Sequence, residues 1–223
     1  MRPQARFRRI TLALAILLAT TSVAALPNIH TLAQAVDEHY NHLRSMQAEF
    51  TEIYQGSGME RVESGTLWLK KPGKMRWEYR SPEEKLFVGD GKDAWLYLPA
   101  EKQVRKSSMR NLDDLRSPLA FLLGKSKLEK ELNVLSFAPD VQAWKAEDSM
   151  LRGVPRGLED RVSQVLLEIT PDHQIVRILI HGLDDSITEY RFKDLKENLE
   201  LPDAKFRFSA PAGSEVIQEE SGQ

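Results

Sequence analysis

Five histidines, two pairs of adjacent aspartates, one Gly-Lys-Ser triplet and a cluster of basic residues are the groups in this 223-residue chain whose spacing suggests chemistry. His39 and His42 stand three apart, which on a helix puts two imidazoles on one face, as a shared metal would require. Glu38 is the one carboxylate close by, so the pair is read as solvent-facing and no metal site is assigned. His30, His173 and His181 stand apart from one another. Asp113-Asp114 and Asp184-Asp185 have the composition of a hydrolytic carboxylate pair. Each sits in a turn-like setting, where aspartate is favoured for bonds to its own backbone. Gly124-Lys125-Ser126 has the ending of a phosphate-binding loop, but Leu119 occupies the place of that motif's first glycine. No serine lies in a nucleophile elbow. Cysteine is absent, so thiolate nucleophiles, thiolate metal sites and disulfides are excluded. The chemistry-bearing residues do not converge on a reaction, and neither an enzyme nor a cofactor is expected.

The elements that would position such residues say more. Residues 65–106 hold Trp68, Trp77 and Trp95, three of the four tryptophans, near the middle of short strands. Lys71-Pro72-Gly73 and Asp90-Gly91 punctuate them as turns. Lys70, Lys71, Lys74 and Arg76 cluster at one such hairpin end. Apolar residues fall on both faces: Leu67 and Leu69 flank Trp68, and Leu96 lies between Trp95 and Tyr97. A sheet that is apolar on both sides must be covered on both sides by a core, a lid or a ligand.

Upstream, Ile29, Leu32, Ala33, Val36, Tyr40 and Leu43 recur at helical intervals after Pro27-Asn28. The period falls to two at Met46, Ala48 and Phe50, where a strand begins. Further strands are expected over 61–70, 75–79, 85–88, 94–98, 103–107, 134–137, 165–169, 175–181, 187–192 and 205–208. Ser117-Pro118 reads as an N-cap followed by proline at the first helical position, opening a short apolar helix through Leu119, Leu122 and Leu123. Residues 128–132 suggest another helical turn, and 219–223 a polar tail. The sum is one antiparallel sheet of about ten or eleven strands with a few inserted helices, an α+β fold.

The first residues read as a cleaved leader over 1–24. Arg2, Arg6, Arg8 and Arg9 precede an apolar run of about ten residues, too short to span a bilayer, and then small residues allowing cleavage after Ala24 or Ala25. Removing those four arginines from 31 basic residues leaves 27 against 33 acidic ones, a formal net charge of −6. That balance disfavours nucleic acid. With no cysteine to lipidate, residues 25–223 are expected to form one soluble, monomeric, exported domain.

The ordered set Gly65-Thr66-Leu67-Trp68-Leu69-Lys70-Lys71-Pro72, Met75-Arg76-Trp77-Glu78-Tyr79, Pro82, Asp90-Gly91-Lys92, Trp95-Leu96-Tyr97, Pro99 and Gln103-Val104 resembles the periplasmic outer-membrane lipoprotein carrier family, LolA. Ser117-Pro118-Leu119 with Leu122-Leu123-Gly124 is similar to that family's internal helix. Phe206, Phe208, Pro211, Gly213 and Val216 are similar to its C-terminal strand. The resemblance implies an incompletely closed antiparallel barrel whose helices form a lid over an apolar cavity for the acyl chains of lipoproteins. It implies three partners: lipidated lipoproteins as cargo, an inner-membrane ABC transporter that supplies them, and an outer-membrane receptor lipoprotein that accepts them. Lys71 stands where the family commonly has an arginine that latches the lid to helix carbonyls. Lysine keeps the charge but loses the planar fork. Leu67, Leu69, Met75 and Trp77 share parity with Lys71 and are expected on the cavity side, with Val88, Leu96, Ile178 and Ile180. Leu32, Val36 and Leu43, together with Pro118, Leu119, Leu122 and Leu123, are expected in the lid. A carrier of another amphiphile (glycolipid or polyketide) and a lipid-sensing envelope regulator are the alternatives on the same fold.

Overall fold

The computed structural model describes residues 28–109 and 127–218. The leader, Asp113-Asp114, the helix containing Pro118, Leu119, Leu122 and Leu123, the Gly124-Lys125-Ser126 triplet and the 219–223 tail lie outside the described residues.

Twelve strands form one sheet. In chain order they are β1 (Ser45–Gly56), β2 (Met59–Lys70), β3 (Lys74–Ser81), β4 (Lys85–Gly89), β5 (Asp93–Leu98), β6 (Gln103–Ser108), β7 (Leu132–Phe137), β8 (Ser149–Pro155), β9 (Val162–Ile169), β10 (Ile175–Gly182), β11 (Ile187–Glu197) and β12 (Glu215–Gln218). Across the sheet they run β12-β6-β5-β4-β3-β2-β1-β11-β10-β9-β8-β7. All pairings are antiparallel except β12 with β6. The edge strands β12 and β7 do not meet, so the sheet stays open. Among the described residues two α-helices accompany it, α1 (Ile29–His42) and α2 (Leu128–Glu131). No described helix is long and apolar enough to cross a membrane.

The sheet curls. Trp77 of β3 and Tyr190 of β11 are separated by two intervening strands, yet their ring centroids lie 6.0 Å apart. In a flat sheet those backbones would stand about 14 Å apart. Phe50 fills the space between, edge-on to Trp77 at 4.7 Å. The inner face of the curl carries Met46, Ala48, Phe50, Leu67, Leu69, Met75, Trp77, Leu167 and Ile178, all in one buried cluster with Ala33, Val36 and Tyr40 of α1.

The outer face is covered by the chain itself. The strand expected over 205–208 does not form: Asp203–Phe206 is a 3-10 turn, and residues 207–208 continue without strand pairing. The alternation of Lys205, Phe206, Arg207 and Phe208 imitates a strand, but the segment has a different fastening. Asp203 is held by Lys70 at 2.6 Å and Lys74 at 2.9 Å, and Arg76 donates to the Lys205 carbonyl. Phe206 is buried, the Lys205 ammonium lies 3.6 Å from the Trp68 ring centre, and Phe208 meets Trp95 and Tyr97. On the other half, Ala138 joins Met150, Leu166 and Leu179 in a smaller cluster. Twelve strands exceed the ten or eleven expected. Ser149–Pro155 was hidden by Arg152, Gly153 and Pro155, and Glu215–Gln218 by its exposed sequence and parallel pairing.

Gly65 marks a register shift between β2 and β3. A Cβ there would lie 1.8 Å from the Glu78 carbonyl oxygen, a backbone atom that cannot step aside. Gly65→Ala is therefore expected to cost about 2 kcal/mol or more. Urea unfolding measures this, and an unchanged midpoint would contradict the register.

Candidate functional site

The inner face is closed at one end by α1. Asn28 caps this helix, its side-chain oxygen accepting from the backbone of His30 at 2.9 Å and Thr31 at 3.4 Å. Val36 and Leu43 are buried against the sheet, with Leu32 packed beside them. A few polar ties add to this apolar contact. The Ile175 N–H donates to the buried Tyr40 hydroxyl at 2.9 Å, and burial pushes that phenol's pKa far up. The Leu128 N–H donates to Asp37, which fastens α2 to α1. His39 lies 2.9 Å from Glu197, which also accepts from Gln174.

Lys71 reaches the C-terminal end of α1. Its ammonium donates to the carbonyls of Tyr40 and Asn41, the latter at 2.9 Å. These groups lack helical partners of their own, and a cation at a helix C-terminus is favoured by the dipole. Burial lowers the Lys71 pKa. Lys71 thus contacts the helix formed by 29–42; the helix expected around Pro118 is not among the described residues.

Of the residues expected to line a cavity, Leu67, Leu69, Met75, Trp77 and Ile178 are together in the buried inner cluster. Cross-strand pairing explains it: Leu67 faces Trp77, and Leu69 faces Met75. Leu96 is half-buried on the same face, opposite Phe87. Val88 is not there. It pairs with Arg76 and Trp95, so it stands on the outer face with them. Its strand is apolar on both sides, which concealed the parity. Beneath α1 the inner face is filled by its own side chains.

Open space lies farther along, where Ile180 lines a pocket of about 650 Å³ beside the β1–β2 and β10–β11 hairpins. Its walls include Val162, Ile180 and Tyr190, and also Glu52, Tyr54 and Arg61. Glu52 is only 8% exposed. It accepts a hydrogen bond from the Tyr79 hydroxyl at 2.9 Å, and burial raises its pKa above the ordinary 4.5. Tyr190 faces the same carboxylate, and its phenol is also pushed up, chiefly by burial. Glu63 pairs with Lys85 and lies 3.3 Å from Arg61. Sequence reasoning missed this polar end. Its signal was parity: Glu52 continues the apolar series Met46, Ala48, Phe50, and Glu63 the series Leu69, Leu67, Gly65. A carboxylate on a core-facing position requires a partner or a purpose.

Among the described residues no group of His, Asp and Glu could hold a metal. The sequence model of the family described as outer membrane lipoprotein carrier protein LolA matches residues 41–209. A relative from Dechloromonas aromatica, named outer-membrane lipoprotein carrier protein, is 31% identical over 91% of this chain and 96% of its own length. A protein of the same name from Nitrosospira multiformis is 30% identical over 79% of this chain and 83% of its own. Among solved structures, an uncharacterized conserved protein from Thermus thermophilus matches with a TM-score of 0.55 at 15% identity, covering 85% of this chain and 98% of that one. That likeness concerns the fold alone.

The raised pKa of Glu52 has a consequence for stability. The fold favours its protonated form, so its favourable contribution is complete below the ordinary value of 4.5 and is lost as pH rises through the elevated folded value. Glu52→Gln removes the buried charge while keeping an acceptor for Tyr79. The variant is expected to gain on the order of 1 kcal/mol over the parent above neutrality, shrinking toward acid. Urea midpoints against pH test this; a variant equally or less stable at alkaline pH would refute it.

Proposed function

This chain belongs to the outer membrane lipoprotein carrier family LolA, and on that footing we propose that it carries lipoproteins with their acyl chains held against the inner face of its open sheet. The observation that supports this reading most is the nature of the inner cover. The apolar face is sealed by a helix, α1, rather than by further strands, and that helix is attached at its end by Lys71.

The physical problem such a carrier solves is one of magnitude. Each buried methylene is worth roughly 0.8 kcal/mol, so a chain of about sixteen carbons is disfavoured in water by on the order of 10 kcal/mol. A carrier must offset most of this and still release its cargo at the next station. A surface that alternates between covering itself and covering a ligand does so, because displacement of α1 exchanges one apolar contact for another. Lys71 biases that exchange toward the closed state. No reactive group is involved, and the role is that of a carrier and chaperone.

The setting that fits is the periplasm, reached by way of the 1–24 leader. There the cargo comes from an inner-membrane ABC transporter and passes to an outer-membrane receptor lipoprotein. The carrier name shared by its relatives favours lipoproteins over the glycolipid, polyketide and regulator alternatives. Spheroplasts provide the test: newly made lipoproteins should be released into the medium when the protein is added and stay on the membrane without it. Release that is the same either way would refute the proposal.

Lys71 gives a finer prediction. If it holds α1 shut, Lys71→Leu increases the population of the open state, and the apparent Kd for an apolar fluorophore falls several-fold while the fold persists. Lys71→Arg, with more donors for the same carbonyls, is expected to bind no tighter than the parent. Dye titration distinguishes these outcomes, and equal affinities for Leu and Lys would remove the latch from the mechanism.

A further inference from the structure

The pocket at the far end of the inner face has one wall that apolar cargo does not need. Glu52 is a buried carboxylate, yet among the described residues no cation lies within ion-pair distance of it. Its donor is the neutral Tyr79 hydroxyl. The two cations nearby, Lys85 and Arg61, are both engaged by Glu63. Arg61 also lies over the Tyr54 ring at 5.5 Å. Glu52 therefore borders a pocket of about 650 Å³ with acceptor capacity that no cation among the described residues uses.

We propose that this pocket is the headgroup end of the binding site and takes a primary ammonium carried by an amphiphile, with Glu52 as its counter-ion. Val162, Ile180 and the rings of Tyr54 and Tyr190 receive the first carbons of the chain, while Glu52 receives the head. An ammonium supplies three donors to a carboxylate that lacks charged ones, and the pair forms where surrounding apolar walls strengthen it. An anionic head has less to recommend it. The lining carries Glu52, Asp160 and Asp184 against Arg61 and Arg161, so it offers an anion no excess of positive charge. The burial that lifts the Glu52 pKa also fits a group whose ionised form is completed by its ligand.

The inference rests on the carrier reading for the presence of an amphiphile, and specifies the chemistry of its head. Dodecylammonium, dodecanol and dodecanoate, all below their micellar concentrations, are titrated into the full mature chain and into Glu52→Gln by calorimetry near neutral pH. The parent is expected to bind the ammonium about tenfold tighter than the alcohol, a preference that falls to about twofold or less in the variant. Equal binding of ammonium and alcohol by the parent, a preference for dodecanoate, or an ammonium preference that survives Glu52→Gln would each overturn the headgroup site while leaving the carrier reading intact. Failure to bind any of the three would overturn both. Two sources offer this chemistry, and a second arm separates them. A diacylglyceryl-cysteinyl peptide with a free α-amine, preferred over its N-acetylated form in a Glu52-dependent way, identifies the cargo's own terminus. The same preference for a short-chain phosphatidylethanolamine over its N-acetylated form, without one between the peptides, identifies a lipid headgroup.

Discussion

An open β-sheet with apolar residues on both faces cannot bury itself, because its two edges never meet to enclose either side. Two segments among the described residues answer that constraint. Residues 203–208 cover the outer face of β2 through β5, and α1 covers the inner face. The two covers are fastened differently. The outer one is tied by Asp203 to Lys70 and Lys74, by Arg76 to a backbone carbonyl, and by the Lys205 ammonium on Trp68. Hydrogen bonds from the two lysines hold the Asp203 carboxyl down at about 2. The inner cover rests on side-chain packing with separate ties at Asp37, His39, the Tyr40 hydroxyl and the C-terminal carbonyls.

Lys70 and Lys71 make the division visible at adjacent positions. Consecutive residues at the end of a strand point to opposite faces. Lys70 accordingly bonds the Leu201 carbonyl and Asp203 of the outer cover, while Lys71 bonds the Tyr40 and Asn41 carbonyls of the inner one. Among the described residues, one of these cations has a carboxylate partner and the other has carbonyl dipoles alone. A charge bonded to dipoles is the weaker attachment of the two. In the proposed mechanism, the side of the sheet that opens is the side with the weaker one.

Much of this was legible in the chain. The helical stripe through Ile29 and Leu43, the period-two strands and the turn residues between them specified the sheet and α1, and Lys71 was identified beside a helix it does contact. Other features were not legible for physical reasons. Val88 lies in a strand apolar on both faces, where alternation carries no information about which side is which. Phe206 and Phe208 alternate with basic residues as a strand would, but their burial comes from packing onto Trp95, Tyr97 and their neighbours rather than from pairing. Arg152, Gly153 and Pro155 obscured β8, whose outer face is completed by Ala138 from a preceding segment. The polar end was missed because each of its residues is ordinary when read alone. Glu52, Glu63, Tyr79 and Tyr190 come from four strands, and only the curl brings them together.

That curl also gives the inner face a direction. At the α1 end the buried wall includes Met46, Leu69, Met75 and Ile175. At the hairpin end Glu52, Glu63, Lys85 and Arg61 replace them on the same parity of the same or neighbouring strands. An amphiphile placed along this surface has one favourable orientation, its chain toward α1 and its head toward the hairpins. Reversal would leave a charged or amide head under the helix with no partner, and methylenes against Glu52. The penalty for burying a polar group without a partner is a few kcal/mol, comparable to several methylenes of gain. In the mechanism proposed above, an oriented cargo would place the movable element at the chain end. On the proposed reading, only there would an arriving acyl chain meet the apolar surface that α1 covers, so that loading and displacement of α1 would be one event.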